Sequence, residues 1–177
     1  SIMGFRESKN FSLSTIASEI QDFWSKNDVF TRSYNREDSP DFIFYEGPPS
    51  ANGKPGIHHV MARTIKDAFC RYKTLKGYNV KRKAGWDTHG LPVELGVEKE
   101  LGISKDDIGD KISISEYNKA CKKAVMKYTS DWELLTESMG YWIDLSDPYV
   151  TYKSKYMETV WWLIKNIFEK NLLYKGY

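Results

Sequence analysis

The chain has 177 residues, enough for one domain with a real core or for part of a larger one. Its 26 basic and 24 acidic residues leave a net charge of +2, so charge points to no polyanionic partner, and no DNA partner is expected. Aromatic residues make up 15% of the chain, which argues for substantial burial. Cys70 and Cys121 lie far apart and form no CxxC or metal pattern, which predicts a reduced, cytoplasmic protein with no metal site in this chain. No apolar run approaches the ~18 residues of a membrane span, and no signal-peptide pattern opens the chain. A soluble protein is expected.

Residues 1–11 read as polar and irregular. Ser14 is the expected N-cap of a helix running to about Asn27, with Ile16, Ala17, Ile20, Phe23 and Trp24 on one face. Residues 31–41 carry five charges and Pro40 and read as a polar connection. The run Phe42-Ile43-Phe44-Tyr45 is too short for a helix and reads as a buried strand. A loop follows whose prolines, glycines, Ser50 and Asn52 would continue neither strand nor helix. From Ile57 to about Lys76 a helical period places Ile57, Val60, Met61, Ile65, Ala68, Phe69, Tyr72 and Leu75 on one stripe, and Gly77 ends the helix.

A second strand near Asn79–Lys83 completes a β–loop–α–β unit, whose strands normally run parallel. Ligands in such sheets sit beyond the carboxyl ends of the strands, where both the 47–59 loop and the stretch from Gly85 to Pro92 emerge. The first turn of the helix offers unpartnered N–H groups and the positive end of its dipole. A loop poor in side chains lets a phosphate chain approach them, with His58 and His59 as added donors. A nucleotide site is therefore expected there. Asp87 faces the same crevice, where a carboxylate can hold an ammonium group; judged locally, an Asx-turn or helix N-cap is the commoner use.

Further along, a short helix is expected around Val93–Leu101, and Ser113 with Glu116 forms a capping box. The helix it opens, with Tyr117, Cys121, Ala124, Val125, Tyr128, Trp132 and Leu135 on one side, is expected to run to Gly140. Its lysines read as a solvated face. Gly140–Tyr152 is an aromatic segment containing Pro148, with no element assigned. A last helix, about Ser154–Asn171, carries Tyr156, Met157, Val160, Trp161, Ile164, Ile167 and Phe168 as a stripe expected to pack in the core. The residues after it read as the start of another element, as though the chain were cut there.

Two blocks carry a resemblance. The first is Pro48-Pro49-Ser50-Ala51-Asn52-Gly53 followed by Gly56-Ile57-His58-His59; the second is Gly85-Trp86-Asp87-Thr88-His89-Gly90-Leu91-Pro92. In this order and spacing they resemble the N-terminal catalytic half of class I isoleucyl-tRNA synthetases, over nearly the whole chain. Valyl and leucyl enzymes usually carry different versions of both blocks; together with a non-catalytic synthetase-like module that binds nucleotide or RNA, they are the alternatives.

The resemblance implies an α/β fold: the first half of a Rossmann-type parallel-sheet domain with additional helices. Residues 1–41 would form a helical extension, and 42–177 the half-domain, ending near the point where the family inserts its editing domain. It further implies ATP-dependent activation of isoleucine and transfer to tRNA(Ile), with Mg2+ accompanying the ATP. Gly47, Pro48 and Asp87 would hold the amino acid and its adenylate. Ser50, Asn52, Gly53, Gly56, His58 and His59 would line the ATP, the two histidines being catalytic. Pro49, Trp86 and His89 belong to the motifs around them. Zinc is expected only in family segments absent from these residues, as are the Lys-Met-Ser-Lys-Ser loop, the editing domain and the main tRNA-binding parts. Isolated, the 177 residues are expected to be inactive. The family's His-Ile-Gly-His tetrad reads Gly56-Ile57-His58-His59 here, with the first His and the Gly exchanged.

Overall fold

A computed structural model describes residues 11–176. The irregular N-terminal stretch expected from the sequence lies, up to residue 10, outside the described residues. The elements run α1 (Leu13–Lys26), α2 (Val29–Tyr34), β1 (Asp41–Tyr45), α3 (Ile57–Leu75), β2 (Asn79–Trp86), α4 (Leu91–Leu101), α5 (Ile114–Val125), α6 (Thr129–Ser138), β3 (Asp144–Val150) and α7 (Ser154–Glu169), with a 3₁₀ turn at Lys105–Asp107.

The three strands form one sheet in the order β1-β2-β3. Both pairings are parallel, with Asp41 opposite Asn79 and Tyr45 opposite Lys83, then Lys83 opposite Asp144 and Trp86 opposite Val150. The β2–β3 register shifts between Lys83 and Gly85. Helix α3 is the crossover between the two parallel strands. It ends as its sequence predicts: Gly77 has φ +96° and the Tyr78 N–H reaches back to the Lys73 carbonyl at 3.2 Å, closing a Schellman turn.

Several expectations are corrected. The N-cap of α1 is Ser12, whose hydroxyl accepts from the Thr15 N–H, rather than Ser14. The connection read at 31–41 begins inside α2. The single helix expected from Ser113 to Gly140 is two, interrupted at residues 126–128, where the Tyr128 N–H leaves the helical ladder for the Ala51 carbonyl at 3.0 Å. The unassigned aromatic segment contains β3, an edge strand of this sheet, which explains how it tolerates Pro148.

The apolar stripe of α3 is also not its buried side. Ile57, Met61, Ile65, Phe69, Tyr72 and Leu75 are all exposed, while Arg63 and Cys70 are buried. Helix α7 likewise buries none of its residues. The core lies elsewhere, in two clusters at the sheet. Ala51, Trp86, Trp132 and Val150 form one, flanked by Met126, Tyr128 and Tyr152; Ala84, Tyr141 and Ile143 form the other. No helix among the described residues is long and apolar enough to cross a membrane.

Candidate functional site

The carboxyl ends of the three strands meet at one edge. The loop after β1 and the turn after β2 are joined directly, the Asp87 N–H donating to the Pro49 carbonyl at 3.0 Å. The residue after β3, Thr151, donates its N–H to the Trp86 carbonyl at 3.3 Å. Its hydroxyl accepts from the Thr88 N–H at 2.9 Å and lies 2.9 Å from His89 Nδ1. Gly47, Pro48, Pro49, Asp87 and His89 thus converge on the edge that the β–loop–α–β reading indicated.

Asp87 makes the turn that its local sequence favours, and uses one oxygen for it. Its Oδ1 accepts from the His89 N–H at 3.2 Å, an Asx-turn, while no hydrogen bond to Oδ2 is formed among the described residues. The carboxylate is half-buried at the crevice.

The 47–56 loop folds over a fixed floor. Ala51 is fully buried against Trp86, Trp132 and Val150, and its carbonyl is held by Tyr128. The Gly53 carbonyl accepts from Trp132 Nε1 at 2.9 Å. Ser50 and Asn52 are half-buried, and their side chains make no hydrogen bond within the described residues.

At the start of α3, Gly56 is the N-cap, with φ −108° and ψ 171°. His59 Nδ1 accepts from the Gly56 N–H at 2.9 Å. An imidazole that accepts at Nδ1 carries its proton on Nε2, so His59 offers an Nε2–H donor. Burial, aided by the neighbouring His58, Arg63 and Lys66, holds its pKa below the ordinary histidine value and favours this neutral form. The His58 ring is exposed and lies 3.8 Å from the His59 ring. It folds back over Gly56: a Cβ on that glycine would stand 2.9 Å from His58 Cε1. The imidazole of His58 therefore borders the space that a side chain at position 56 would take.

Beneath the loop is a charged network that sequence reasoning missed. Glu46, 2% exposed, accepts from Lys66 and from the Tyr141 hydroxyl, and its carbonyl accepts from the Tyr149 hydroxyl. Burial and the bond to Glu46 push the Tyr141 pKa up, keeping it a donor. Arg63 lies 5.0 Å from the Trp132 ring centre and 5.4 Å from that of Tyr141, and donates to Thr136. Gly85 has a packing reason: a Cβ there would come within 2.2 Å of the Tyr149 ring. The partners lie 20 to 103 residues from Glu46 in sequence, and no local pattern announces them. Among the described residues, no group of three or more His, Cys, Asp or Glu side chains is placed to hold a metal ion.

Residues 19–177 match the family of class I tRNA synthetases specific for I, L, M and V. The chain is 63% identical over 174 residues to an isoleucine–tRNA ligase of Bacteroides thetaiotaomicron, covering 98% of this chain and 15% of that protein. It is 59% identical over 176 residues to the Cytophaga hutchinsonii isoleucine–tRNA ligase, and 51% over 160 residues to that of Clostridium tetani. These matches cover 99% and 90% of this chain, and 16% and 15% of the relatives. The chain thus spans about 15% of the length of the curated relatives it matches. Among solved structures it is similar to the LeuRS in the Agrobacterium radiobacter K84 agnB2 LeuRS–tRNA–LeuAMS ternary complex. There the TM-score is 0.60 at 19% identity, over 93% of this chain and 19% of the other, a likeness of fold. Matched over all but its first eighteen residues, with a parallel three-stranded sheet whose motif loops converge at one edge, the chain belongs to the class I tRNA synthetases of the isoleucine, leucine, methionine and valine group.

Proposed function

We propose that the chain is the N-terminal catalytic portion of a cytoplasmic isoleucine–tRNA ligase, acting on isoleucine and ATP and then on tRNA(Ile). The observation that carries this reading is the hydrogen bond from Asp87 to Pro49, which sets a free carboxylate oxygen beside a phosphate-type loop and helix N-terminus. The names of the relatives support isoleucine over valine or leucine.

In the first step an isoleucine carboxylate oxygen attacks the α-phosphorus of ATP. A P–O bond forms, the bond to the bridging oxygen breaks, and pyrophosphate leaves with that electron pair. Asp87 Oδ2 takes the substrate ammonium, and Gly47 and Pro48 line its neighbourhood. Charge grows on phosphoryl oxygens, and donors fixed in advance stabilise it without a covalent enzyme intermediate. His59 Nε2–H is one such donor, positioned by its bond to Gly56. Ser50, Asn52 and the Gly53 backbone supply others, while Gly56 borders the phosphates as the helix N-cap with its N–H held by His59; Pro49, Trp86 and His89 hold the surrounding turns. When bound with the triphosphate, Mg2+ would neutralise part of its charge. In the second step a terminal ribose hydroxyl of the tRNA attacks the acyl carbon and AMP leaves.

The exchanged tetrad fits this scheme. With Gly at position 56, the His58 ring folds back to border the space above it, so a second imidazole still stands beside His59 at the helix start. Most tRNA contact, the Lys-Met-Ser-Lys-Ser loop and any zinc lie in segments beyond these residues. The full-length polypeptide is expected to charge tRNA(Ile) with isoleucine, and the isolated 177-residue chain to form no adenylate. Adenylate formation by the isolated chain, or no charging by the full-length protein, contradicts the reading.

A further inference from the structure

The phosphate-type loop is rich in Gly and Pro, and its own residues do little to fix it. Its shape is set from α6, whose first turn reaches it twice on one face. The Tyr128 N–H bonds to the Ala51 carbonyl at 3.0 Å, and one helical turn later Trp132 Nε1 bonds to the Gly53 carbonyl at 2.9 Å. A peptide unit is planar and trans, so its C=O and N–H point in opposite directions. Drawing the Ala51 and Gly53 carbonyls toward α6 therefore turns the N–H groups of Asn52 and Lys54 away from it. Neither N–H has a hydrogen-bond partner among the described residues.

Trp132 does more than hold the carbonyl. It is 1% exposed, its ring meets that of His59 edge-on at 4.6 Å, and it packs at 6.5 Å from Trp86, the residue before Asp87. Its own position is fixed from below by Arg63, 5.0 Å from the ring centre, and by Thr136, which bonds to the Trp132 carbonyl at 2.7 Å and accepts from Arg63. One indole therefore sets two donors of the nucleotide half of the site: the Gly53–Lys54 peptide and the His59 imidazole.

We propose that Trp132 is a positioning residue for nucleoside triphosphate binding, its indole N–H orienting the Gly53–Lys54 peptide while its ring edge fixes His59. The inference rests on the adenylating activity proposed above. It is tested by ATP–pyrophosphate exchange on the full-length polypeptide with Trp132→Phe, which keeps an aromatic ring and removes the N–H. The KM for ATP is expected to rise about tenfold and kcat to fall, with the KM for isoleucine unchanged. Met126→Ala is the control: Met126 packs against the same cluster but makes no bond to the loop. It should lower the thermal midpoint while leaving both KM values within about twofold of wild type. A Trp132→Phe enzyme with wild-type KM for ATP and kcat refutes the inference. So does one in which both KM values rise together, or a Met126→Ala enzyme with the same ATP defect. If the wild-type enzyme shows no exchange with any amino acid, the adenylation reading itself has failed, and the inference falls with it.

Discussion

Replacing Gly85 by Ala should disturb the site through a single steric contact. Gly85 is not among the glycines with positive φ, so alanine is tolerated by the backbone itself. The added Cβ, however, would stand 2.2, 2.4 and 2.6 Å from Tyr149 Cζ, Cε1 and Cε2. Carbon atoms in comfortable contact lie ~3.5–4.0 Å apart, so the ring must retreat by more than about 1 Å. It is not free to do so: Tyr149 stacks on Tyr156 at 5.7 Å and 11°, and its hydroxyl bonds to the Glu46 carbonyl. Overpacking of this kind costs about 1–3 kcal/mol and the lost hydrogen bond about 1. Reduced entropy of the unfolded chain returns ~0.4–1 kcal/mol, leaving a net loss of roughly 1–3 kcal/mol. Urea unfolding of wild type, Gly85→Ala, Tyr149→Ala and the double variant measures it. In the Tyr149→Ala background the Gly85→Ala substitution should be nearly neutral, because the clash is gone. An equal cost in both backgrounds refutes the steric account.

Asp87→Asn keeps an oxygen for the Asx-turn with His89 but removes the charge that binds an ammonium group. Unfolding stability should stay within about 0.5 kcal/mol, while the KM for isoleucine in exchange assays rises about tenfold or more; equal loss of both would make Asp87 structural. Gly56→His restores the family's first histidine but must displace the His58 ring, since any Cβ there meets His58 Cε1 at 2.9 Å. The KM for ATP and the affinity for a non-hydrolysable adenylate analogue should both change, and unchanged values would show that His58 does not stand in for it. For His59, whose folded pKa is lowered, the unfolded chain binds more protons just below the ordinary histidine value of 6.5. Its contribution to stability is therefore complete above that pH and lost as pH falls below it. His59→Gln should flatten the stability–pH curve just below pH 6.5; an unaltered slope contradicts the assignment.

The meeting of the candidate site's loops was legible in the sequence because each loop lies beside the strand that delivers it. A strand, a Gly/Pro loop and a helix start are contiguous in the chain, and the second motif begins in the last two residues of the next strand and continues past its end, so their meeting at one sheet edge follows from βαβ topology alone. What holds the site was not legible. Glu46, Arg63, Trp132 and Tyr149 act through partners far off in the chain, and nothing in the local period of α3 marks Arg63 as buried beneath an aromatic ring. The period of α3 and α7 identified apolar stripes correctly but not what they face, because periodicity reports that a face is apolar and not which side of the helix meets the sheet. The strand β3 carries no strand signature because Asp144, Ser146, Asp147 and Pro148 break the usual alternation, which an edge strand tolerates. The break between α5 and α6 has no Gly or Pro to mark it. It is made by the bond from Tyr128 to the loop.

Isoleucine activation at the edge where the 47–59 loop meets Asp87 stands or falls on ATP–pyrophosphate exchange by the full-length polypeptide with isoleucine, valine and leucine. Exchange is expected with isoleucine at the highest kcat/KM. Valine should be slower by no more than the limit of ~1–3 kcal/mol per methylene that a hydrophobic pocket imposes, for which isoleucyl synthetases are themselves the standard illustration. Preferred exchange with valine or leucine would contradict the isoleucine assignment, and no exchange with any of the three would contradict catalysis at this site altogether.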